Sequence, residues 1–189
     1  MDIKEMVATV KKTTRLQQVP KEWIEFLEIV EEAKPKIILE IGTAQGGSAL
    51  CLSYFADTII TIDQYSHFNQ ETMLLIQKNC EFHFIRKSTE ERKSIRKVEN
   101  ILDGRKADVL FIDGDHTYRG AKRDFMRFSK FVAPGGIVAL HDIVNTKHHR
   151  KLGCKVFKFW EEIRDQHKTQ EFLTTDWGGI GVITNFQPA

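Results

Sequence analysis

Short apolar runs alternate with helical patterns along most of this chain, and that alternation constrains its fold more than any other feature. Five runs are typical of buried strands, at residues 37–39, 58–62, 81–85, 108–112 and 136–140. Segments with apolar residues at helical spacing separate most of them. Repeated strand–helix units pair as a parallel sheet covered by helices on both faces. The sequence therefore predicts an α/β fold with a Rossmann-like sheet.

The residues before the first strand have a helical pattern. Val19-Pro20 divides residues 1–34 into two helices, because the residue before a proline is disfavoured in a helix. No linker rich in serine, glycine or proline follows. We therefore expect a single domain over residues 1–189, with two N-terminal helices before a Rossmann-like core at 35–185.

The last strands differ from the others in their connection. Predicted strands at 171–175 and 181–184 flank Asp176-Trp177-Gly178-Gly179, a short turn that contains glycine. Such a turn favours a hairpin, whose strands are antiparallel. The sequence thus predicts an antiparallel strand at the end of a parallel sheet.

The amino-acid composition argues against several classes of binding partner and site. The 189 residues include 28 Lys plus Arg and 26 Asp plus Glu, which gives a formal net charge of +2. That near balance predicts no nucleic-acid partner and no anionic membrane. Three widely separated cysteines without CxxC spacing argue against a disulfide framework and a zinc site. Since neither a secretory signal nor a run of about 20 apolar residues is present, the sequence predicts a cytoplasmic protein.

The turn after the first strand is rich in glycine and follows a carboxylate. Its sequence, Glu40-Ile-Gly42-Thr43-Ala-Gln-Gly46-Gly-Ser48, matches neither GxGxxG nor a P-loop. Glu40 would repel a pyrophosphate and suits an ammonium group, while the glycines allow a ligand to approach the main chain. A turn that binds no ligand is the alternative interpretation.

Asp63 ends the second strand and adds a second acid to this region. A carboxylate at that place can accept hydrogen bonds from the vicinal hydroxyls of a ribose. Together, Glu40, the glycines and Asp63 predict a ligand that carries an adenosine and a cationic amino-acid end.

These positions, with Asp113 at the end of the fourth strand, resemble the class I S-adenosylmethionine-dependent methyltransferases. Residues 111–118 (FIDGDHTY) and 134–142 (PGGIVALHD) are similar to a narrower group, the small-molecule and sugar O-methyltransferases. The resemblance implies a seven-stranded sheet with its last strand antiparallel, and S-adenosylmethionine as cofactor. The cofactor-binding residues that it implies are Glu40, Gly42, Thr43, Gly46, Ser48, Asp63, Ser88 (near the adenine) and Asp113.

Acids and histidines follow the fourth and fifth strands, at Asp113-Gly-Asp115-His116 and His141-Asp142. Because these strands should be neighbours, their carboxyl ends would bring both groups to one point. Asp113 and Asp142 suit Mg²⁺, with Ca²⁺ or Mn²⁺ as alternatives, and such an ion would acidify a substrate hydroxyl. Either histidine would accept the proton, so Asp113, His116 and His141 are the predicted catalytic residues.

One position departs from the metal-dependent relatives, and a structural interpretation stays open. Those enzymes commonly carry an acidic or amide residue directly after the second metal ligand, where this chain has Ile143. Asp115, His116 or His141 would have to replace that ligand. Alternatively, Asp113 and Asp115 cap the following helix, and His141 is packed in the core.

The predicted function is methyl transfer from S-adenosylmethionine to a hydroxyl of a small-molecule acceptor. Methylation of a nucleic-acid base is the enzymatic alternative, but the Asn/Asp-Pro-Pro-aromatic motif that accompanies it is absent after the fourth strand. Glu40 argues against a nucleotide-dependent dehydrogenase, and a non-catalytic cofactor-binding member of the fold is a further alternative. Trp23 and Trp177 are candidates for a homo-oligomer interface, and residues 147–151 are predicted to be a solvated loop.

Overall fold

A computed structural model of the chain describes residues 2–65, 67, 69–174 and 177–188. Its strands are β1 (Ile37–Ile41), β2 (Thr58–Asp63), β3 (Glu81–Arg86), β4 (Ala107–Ile112), β5 (Val132–His141), β6 (Lys168–Phe172) and β7 (Ile180–Phe186). They form one seven-stranded sheet in the order β3-β2-β1-β4-β5-β7-β6. The first five strands are parallel, whereas β7 is antiparallel to both of its neighbours. The predicted Rossmann-like sheet with an antiparallel last strand is confirmed.

Eight α-helices accompany the sheet in the described part of the chain. They are α1 (Ile3–Thr13), α2 (Pro20–Ala33), α3 (Gly47–Leu52), α4 (Gln70–Asn79), α5 (Arg92–Leu102), α6 (Tyr118–Phe128), α7 (Lys147–Leu152) and α8 (Val156–Ile163). Among these residues no helix is long and apolar enough to cross a membrane.

Helix α7 corrects the prediction of a solvated loop at residues 147–151. The side chain of Thr146 caps the helix by accepting a hydrogen bond from the backbone N–H of His149 at 3.1 Å. The side chain of His149 is buried. A polar run therefore forms a helix here because one of its histidines points into the protein.

The helices divide between the two faces of the sheet, as the strand–helix alternation predicts. Helices α1–α4 pack on one face with side chains such as Ile38 and Phe111, and α5, α6 and α8 pack on the other with Leu39 and Leu110. Trp23 is fully buried on the first face, where its ring lies 5.2 Å from that of Phe111. Trp23 is therefore a core residue, and its predicted role at an oligomer interface is wrong.

The last two strands form the predicted antiparallel pair, with Phe172 opposite Ile180. Strand β6 begins and ends three residues earlier than predicted, at Lys168 and Phe172. Two residues of the predicted strand and turn, Thr175 and Asp176, lie outside the described residues.

The carboxyl ends of the parallel strands bring the predicted site residues to one edge of the sheet. Asp63 is the last residue of β2, Asp113 follows β4, and His141 ends β5. Strand β1 is longer than predicted, so Glu40 lies inside the sheet and pairs with Thr61. The strand order reverses between β1 and β4, because β2 and β3 lie on one side of β1 and the later strands lie on the other. Open α/β sheets bind ligands at such a switch point.

Residues 14–19, which we call the strap, join α1 to α2 and cross the turn after β1. The Thr14 hydroxyl donates a hydrogen bond to the carbonyl oxygen of Gln45 at 3.0 Å. At position 47 only glycine fits, because a Cβ there would lie 2.4 Å from the carbonyl oxygen of Arg15. Leu16 is buried. The strap is therefore held against the glycine turn by packing and by a hydrogen bond.

Candidate active site

A hollow of about 530 Å³ opens at the carboxyl edge of the sheet. The turn after β1, the ends of β2 and β4, the segment after β3 and the strap contribute to its walls. The predicted site residues that line it are Gly42, Thr43, Ser48, Asp63, Ser88, Asp113 and His116. The predicted residues that do not line it are Glu40, Gly46, His141 and Asp142.

Asp63 fixes the turn after β1 from the neighbouring strand. Its Oδ2 accepts hydrogen bonds from the backbone N–H groups of Thr43 at 3.0 Å and Ala44 at 2.9 Å, and its Oδ1 accepts one from Tyr65 at 2.9 Å. Oδ1 has a further lone pair, so Asp63 can also accept a hydrogen bond from a hydroxyl group of a ligand. Its place on the wall of the hollow is compatible with the predicted ribose contact.

Gly42 allows two turns to touch. Its φ is +87°, and a Cβ at this position would lie 1.9 Å from the carbonyl oxygen of Asp113. From the sequence, we expect a ligand to occupy the space that the missing side chain of Gly42 leaves. In the structure, the space next to Gly42 is instead filled by the backbone after β4, so the glycine turn and the acidic turn are packed together.

Glu40 does not contact the hollow, contrary to its predicted role as a partner for an ammonium group. It is fully buried, and its Oε2 accepts a hydrogen bond from the Thr61 hydroxyl at 2.6 Å. Burial raises the pKa of Glu40 to about 7, although hydrogen bonds from Ser48 and Thr61 oppose that shift. Glu40 is therefore a buried residue behind the wall of the hollow.

Asp113 lies between the strap and the end of β5. Its Oδ2 accepts a hydrogen bond from Nε2 of Gln18 at 2.5 Å, and its Oδ1 accepts one from Nδ1 of His141 at 3.1 Å. Neither Asp113 nor Asp115 caps the helix that follows: the N-cap of α6 is Thr117, whose hydroxyl accepts from the N–H of Gly120 at 3.0 Å. Asp115 accepts a hydrogen bond from the N–H of Thr117 at 3.0 Å. Asp113 therefore connects the wall of the hollow to the buried residues behind it.

His141 is buried, and both of its ring nitrogens have carboxylate partners. Nε2 lies 2.9 Å from Oε1 of Glu22, a residue of α2 that is itself fully buried. Burial alone would lower the pKa of His141, but Asp113, Glu22 and Asp142 raise it well above its usual value. His141 thus has no nitrogen available for a substrate proton. The arrangement supports the structural interpretation of this residue over the catalytic one.

Of the two histidines predicted to be catalytic, His116 lines the hollow and His141 does not. Its side chain is 48% exposed, and Nδ1 lies 2.7 Å from Oδ2 of Asp142. The hydrogen bond that His116 donates to Asp142 raises the pKa of His116 against the opposing effect of burial. Among the described residues Nε2 has no hydrogen-bond partner. A histidine held at one nitrogen by a buried carboxylate and open at the other is suited to proton transfer.

Comparison with known families agrees with this arrangement of turns and acids. The model of a family described as a methyltransferase domain matches residues 39–143, which is more than half of the chain. This chain belongs to that methyltransferase family. The matched residues include the glycine turn, Asp63, Asp113, His116 and Asp142, whereas the strap, which also lines the hollow, lies outside them.

Solved structures share the fold of the methyltransferase domain. An O-methyltransferase from Bacillus cereus in complex with SAH is 19% identical with a TM-score of 0.67, covering 97% of this chain and 91% of its own. The N-methyltransferase NodS from Bradyrhizobium japonicum is 11% identical with a TM-score of 0.64, covering 87% of this chain and 94% of its own. At these identities the likeness shows the fold alone. Since the two proteins are named for different acceptor atoms, the fold does not decide the acceptor.

A curated relative extends well beyond the methyltransferase domain. The uncharacterized protein y4gI from Sinorhizobium fredii is 25% identical over an alignment of 146 residues that covers 71% of this chain. The chain spans only 16% of that protein's length.

The donor set next to Asp113 does not match the magnesium site that the resemblance implied. Potential ligand atoms of Asp113, His141 and Asp142 lie within 4.8 Å of one another. Magnesium prefers about six oxygen ligands, whereas this set includes a nitrogen, and Ile143 offers no side-chain oxygen. Each of the four carboxylate oxygens already lies within hydrogen-bond distance of a side-chain nitrogen, from Gln18, His116, His141 or His149. We therefore assign no step to a metal.

Sequence reasoning missed Arg15, Gln18, Glu22 and His149. Arg15 and Gln18 line the hollow from the strap, and Glu22 and His149 lie behind it. Glu22 is 119 residues away from His141 along the chain, and Gln18 is 95 residues away from Asp113. A glutamate in the first turn of a helix is common for reasons of helix polarity, so no local signal marked Glu22 as part of a site.

Replacing Glu22 by glutamine tests the buried network. Glu22 accepts hydrogen bonds from His141 and from the backbone N–H groups of Val19 at 3.1 Å and Gly179 at 2.5 Å. We expect Glu22→Gln to lower the free energy of unfolding by about 2–4 kcal/mol, because His141 loses one of its buried charged partners. Urea unfolding measures the loss. Glu28→Gln, the same change at an exposed position of α2, should stay within about 0.5 kcal/mol of the parent.

Proposed function

We propose that this protein transfers the methyl group of S-adenosylmethionine to a hydroxyl oxygen of a small molecule. The observation that carries the proposal is the pair formed by His116 and Asp142, with His116 on the wall of the hollow. An alcohol or phenol must lose its proton as its oxygen attacks, so a paired histidine at this place favours a hydroxyl acceptor.

The hollow has the groups that an adenosine cofactor with an amino-acid end requires. Asp63 can accept a hydrogen bond from a ribose hydroxyl, and Ser88, after β3, lines the hollow and would contact the adenine. Gly42 and Ser48, from the turn after β1 and the start of α3, also line the hollow and would border the amino-acid end. The Bacillus cereus relative with the same fold was solved in complex with SAH, which supports this choice of cofactor.

The residues of the chain perform two tasks in this proposal. When bound, S-adenosylmethionine supplies an electrophilic methyl group. His116 accepts the hydroxyl proton at Nε2, and Asp142 holds the ring and stabilises the imidazolium that results. The turns after β1 and β4, packed together at Gly42 and Asp113, fix the cofactor relative to that histidine. Alignment of this kind is the main contribution that an enzyme makes to an in-line displacement.

Calorimetry with S-adenosylhomocysteine (SAH) tests the proposal. We expect saturable binding to the parent protein, and binding weaker by about ten-fold or more in Asp63→Asn, because a charged acceptor for the ribose is lost. Asp165→Asn, the same change at an exposed position, should bind as the parent does. Absence of binding at millimolar SAH would contradict the proposed function.

His116→Gln tests the proton acceptor. With labelled S-adenosylmethionine and a panel of phenols, catechols and sugars, we expect kcat for the accepted hydroxyl to fall by about 10²–10⁴-fold. The Kd for SAH should change little, since the histidine acts on the acceptor. His148→Gln alters an exposed histidine on α7 and should retain activity. A variant of His116 with full activity would remove this residue from the mechanism.

Chelation tests the absence of a metal step. We expect the same rate of methyl transfer before and after dialysis against EDTA, because the carboxylate oxygens near His141 are already paired with side-chain nitrogens. The measurement is the initial rate with and without added Mg²⁺, Ca²⁺ or Mn²⁺. A loss on chelation that one of these ions restores would show that the donor set does bind a metal.

A further inference from the structure

The amino-acid end of the proposed cofactor needs hydrogen-bonding and charged partners that the residues predicted from the sequence do not provide. That end carries an ammonium group with three N–H donors and a carboxylate. Glu40, the predicted partner of the ammonium group, is fully buried and is not on the wall of the hollow. The residues that line the hollow beside Gly42, Gly47 and Ser48 are therefore the candidates, and the strap contributes several of them.

Gln18, on the wall of the hollow, has a side-chain amide oxygen that accepts no hydrogen bond from the described residues. It is only 5% exposed, and it lines the hollow. Its Nε2 donates to Asp113, which as a carboxylate can only accept, so the orientation of the amide is fixed by chemistry. The other amide atom, Oε1, is buried and has no hydrogen-bond partner among the described residues. A buried acceptor without a donor is costly, and an ammonium group beside it would remove that cost.

Arg15 provides the opposite charge on the same segment. It lines the hollow three residues before Gln18, and its side chain is exposed. The described residues include no ion-pair or hydrogen-bond partner for its guanidinium group. A guanidinium group matches a carboxylate in charge and in geometry. The strap thus presents an acceptor and a cation, which are the complements of an ammonium group and a carboxylate.

We propose that the strap binds the amino-acid end of the cofactor, with Gln18 accepting a hydrogen bond from the ammonium group and Arg15 pairing with the carboxylate. This inference rests on the proposed function and names residues that bind the cofactor from outside the Rossmann-like core. The strap is prepared for the task, because the Thr14 hydrogen bond and the Arg15–Gly47 contact hold it against the turn after β1. Binding therefore requires little ordering of the segment.

Three ligands that differ only at the amino-acid end test the assignment by calorimetry. SAH carries both groups, S-adenosyl-3-thiopropylamine keeps the ammonium group and lacks the carboxylate, and 5′-methylthioadenosine lacks both. Since all three share the adenosine, any general effect of a substitution on the hollow cancels in the ratio of their dissociation constants. The proteins are the parent, Gln18→Met, Gln18→Glu, Arg15→Met and the control Gln17→Met, a neighbouring strap residue that also lines the hollow.

Each variant has its own expected pattern. Gln18→Met should weaken SAH and the amine ligand by about ten-fold or more and leave 5′-methylthioadenosine unchanged. Gln18→Glu keeps an acceptor oxygen and should bind the amine ligand within a few-fold of the parent, which a residue that merely held Asp113 would not do. Arg15→Met should weaken SAH by up to about five-fold and spare the amine ligand, because the pair is exposed. Gln17→Met should change none of the ratios.

The outcomes separate this inference from the proposed function. If the parent binds neither SAH nor 5′-methylthioadenosine, the proposed function fails. If the parent binds SAH but Gln18→Met weakens all three ligands equally, or none of them, the inference about Gln18 is overturned while the function stands. Equal weakening of SAH and the amine ligand in Arg15→Met overturns the assignment of the carboxylate. Far-UV circular dichroism confirms that each variant is folded, and the exposed Arg15 provides a test independent of the buried Gln18.

Discussion

The pairing of His141 with carboxylates from separate elements holds the functional edge of this sheet together. Glu22 comes from α2, Asp113 from the turn after β4 and Asp142 from the turn after β5, and each lies within 3.4 Å of a ring nitrogen of His141. Buried charges are tolerated only when every one of them has a partner. The network therefore sets how α2 lies on the sheet, and through α2 it sets where the strap crosses the hollow.

Most acids at the strand ends serve the protein before they serve a ligand. Glu40 accepts a hydrogen bond from Thr61, and Asp63 holds the backbone of the glycine turn. Of the two, only Asp63 also lines the hollow itself. Hydrogen bonds to Asp63 and Asp113 therefore tie the glycine turn and the strap to the ends of β2 and β4, and such support fixes the position of residues in a site.

The fold was predictable because the strand–helix alternation and the terminal hairpin follow from short stretches of sequence, namely apolar runs, helical spacing and a turn that contains glycine. Helix α4 was not, since only Thr72 and Ile76 are buried on it and its apolar pattern is weak. In the site, Asp63, Asp113 and His116 were predicted from their places at strand ends. The depth of Glu40 was missed because β1 runs past it to Ile41, which is decided by pairing with β2 and β4. Contacts of the strap and of Glu22 join distant parts of the chain, and periodicity contains no information about them.

The contact between Glu22 and Gly179 has a consequence for the order in which the molecule is built. These residues are 157 positions apart, and Gly179 immediately precedes β7. Until β7 has been synthesised and docked beside β5, the carboxylate of Glu22 lacks one of its backbone donors, and the dense arrangement of charges around His141 is incomplete. The residues around His141 therefore depend on a strand that comes late in the chain, and they have all of their partners only when β7 lies in place beside β5.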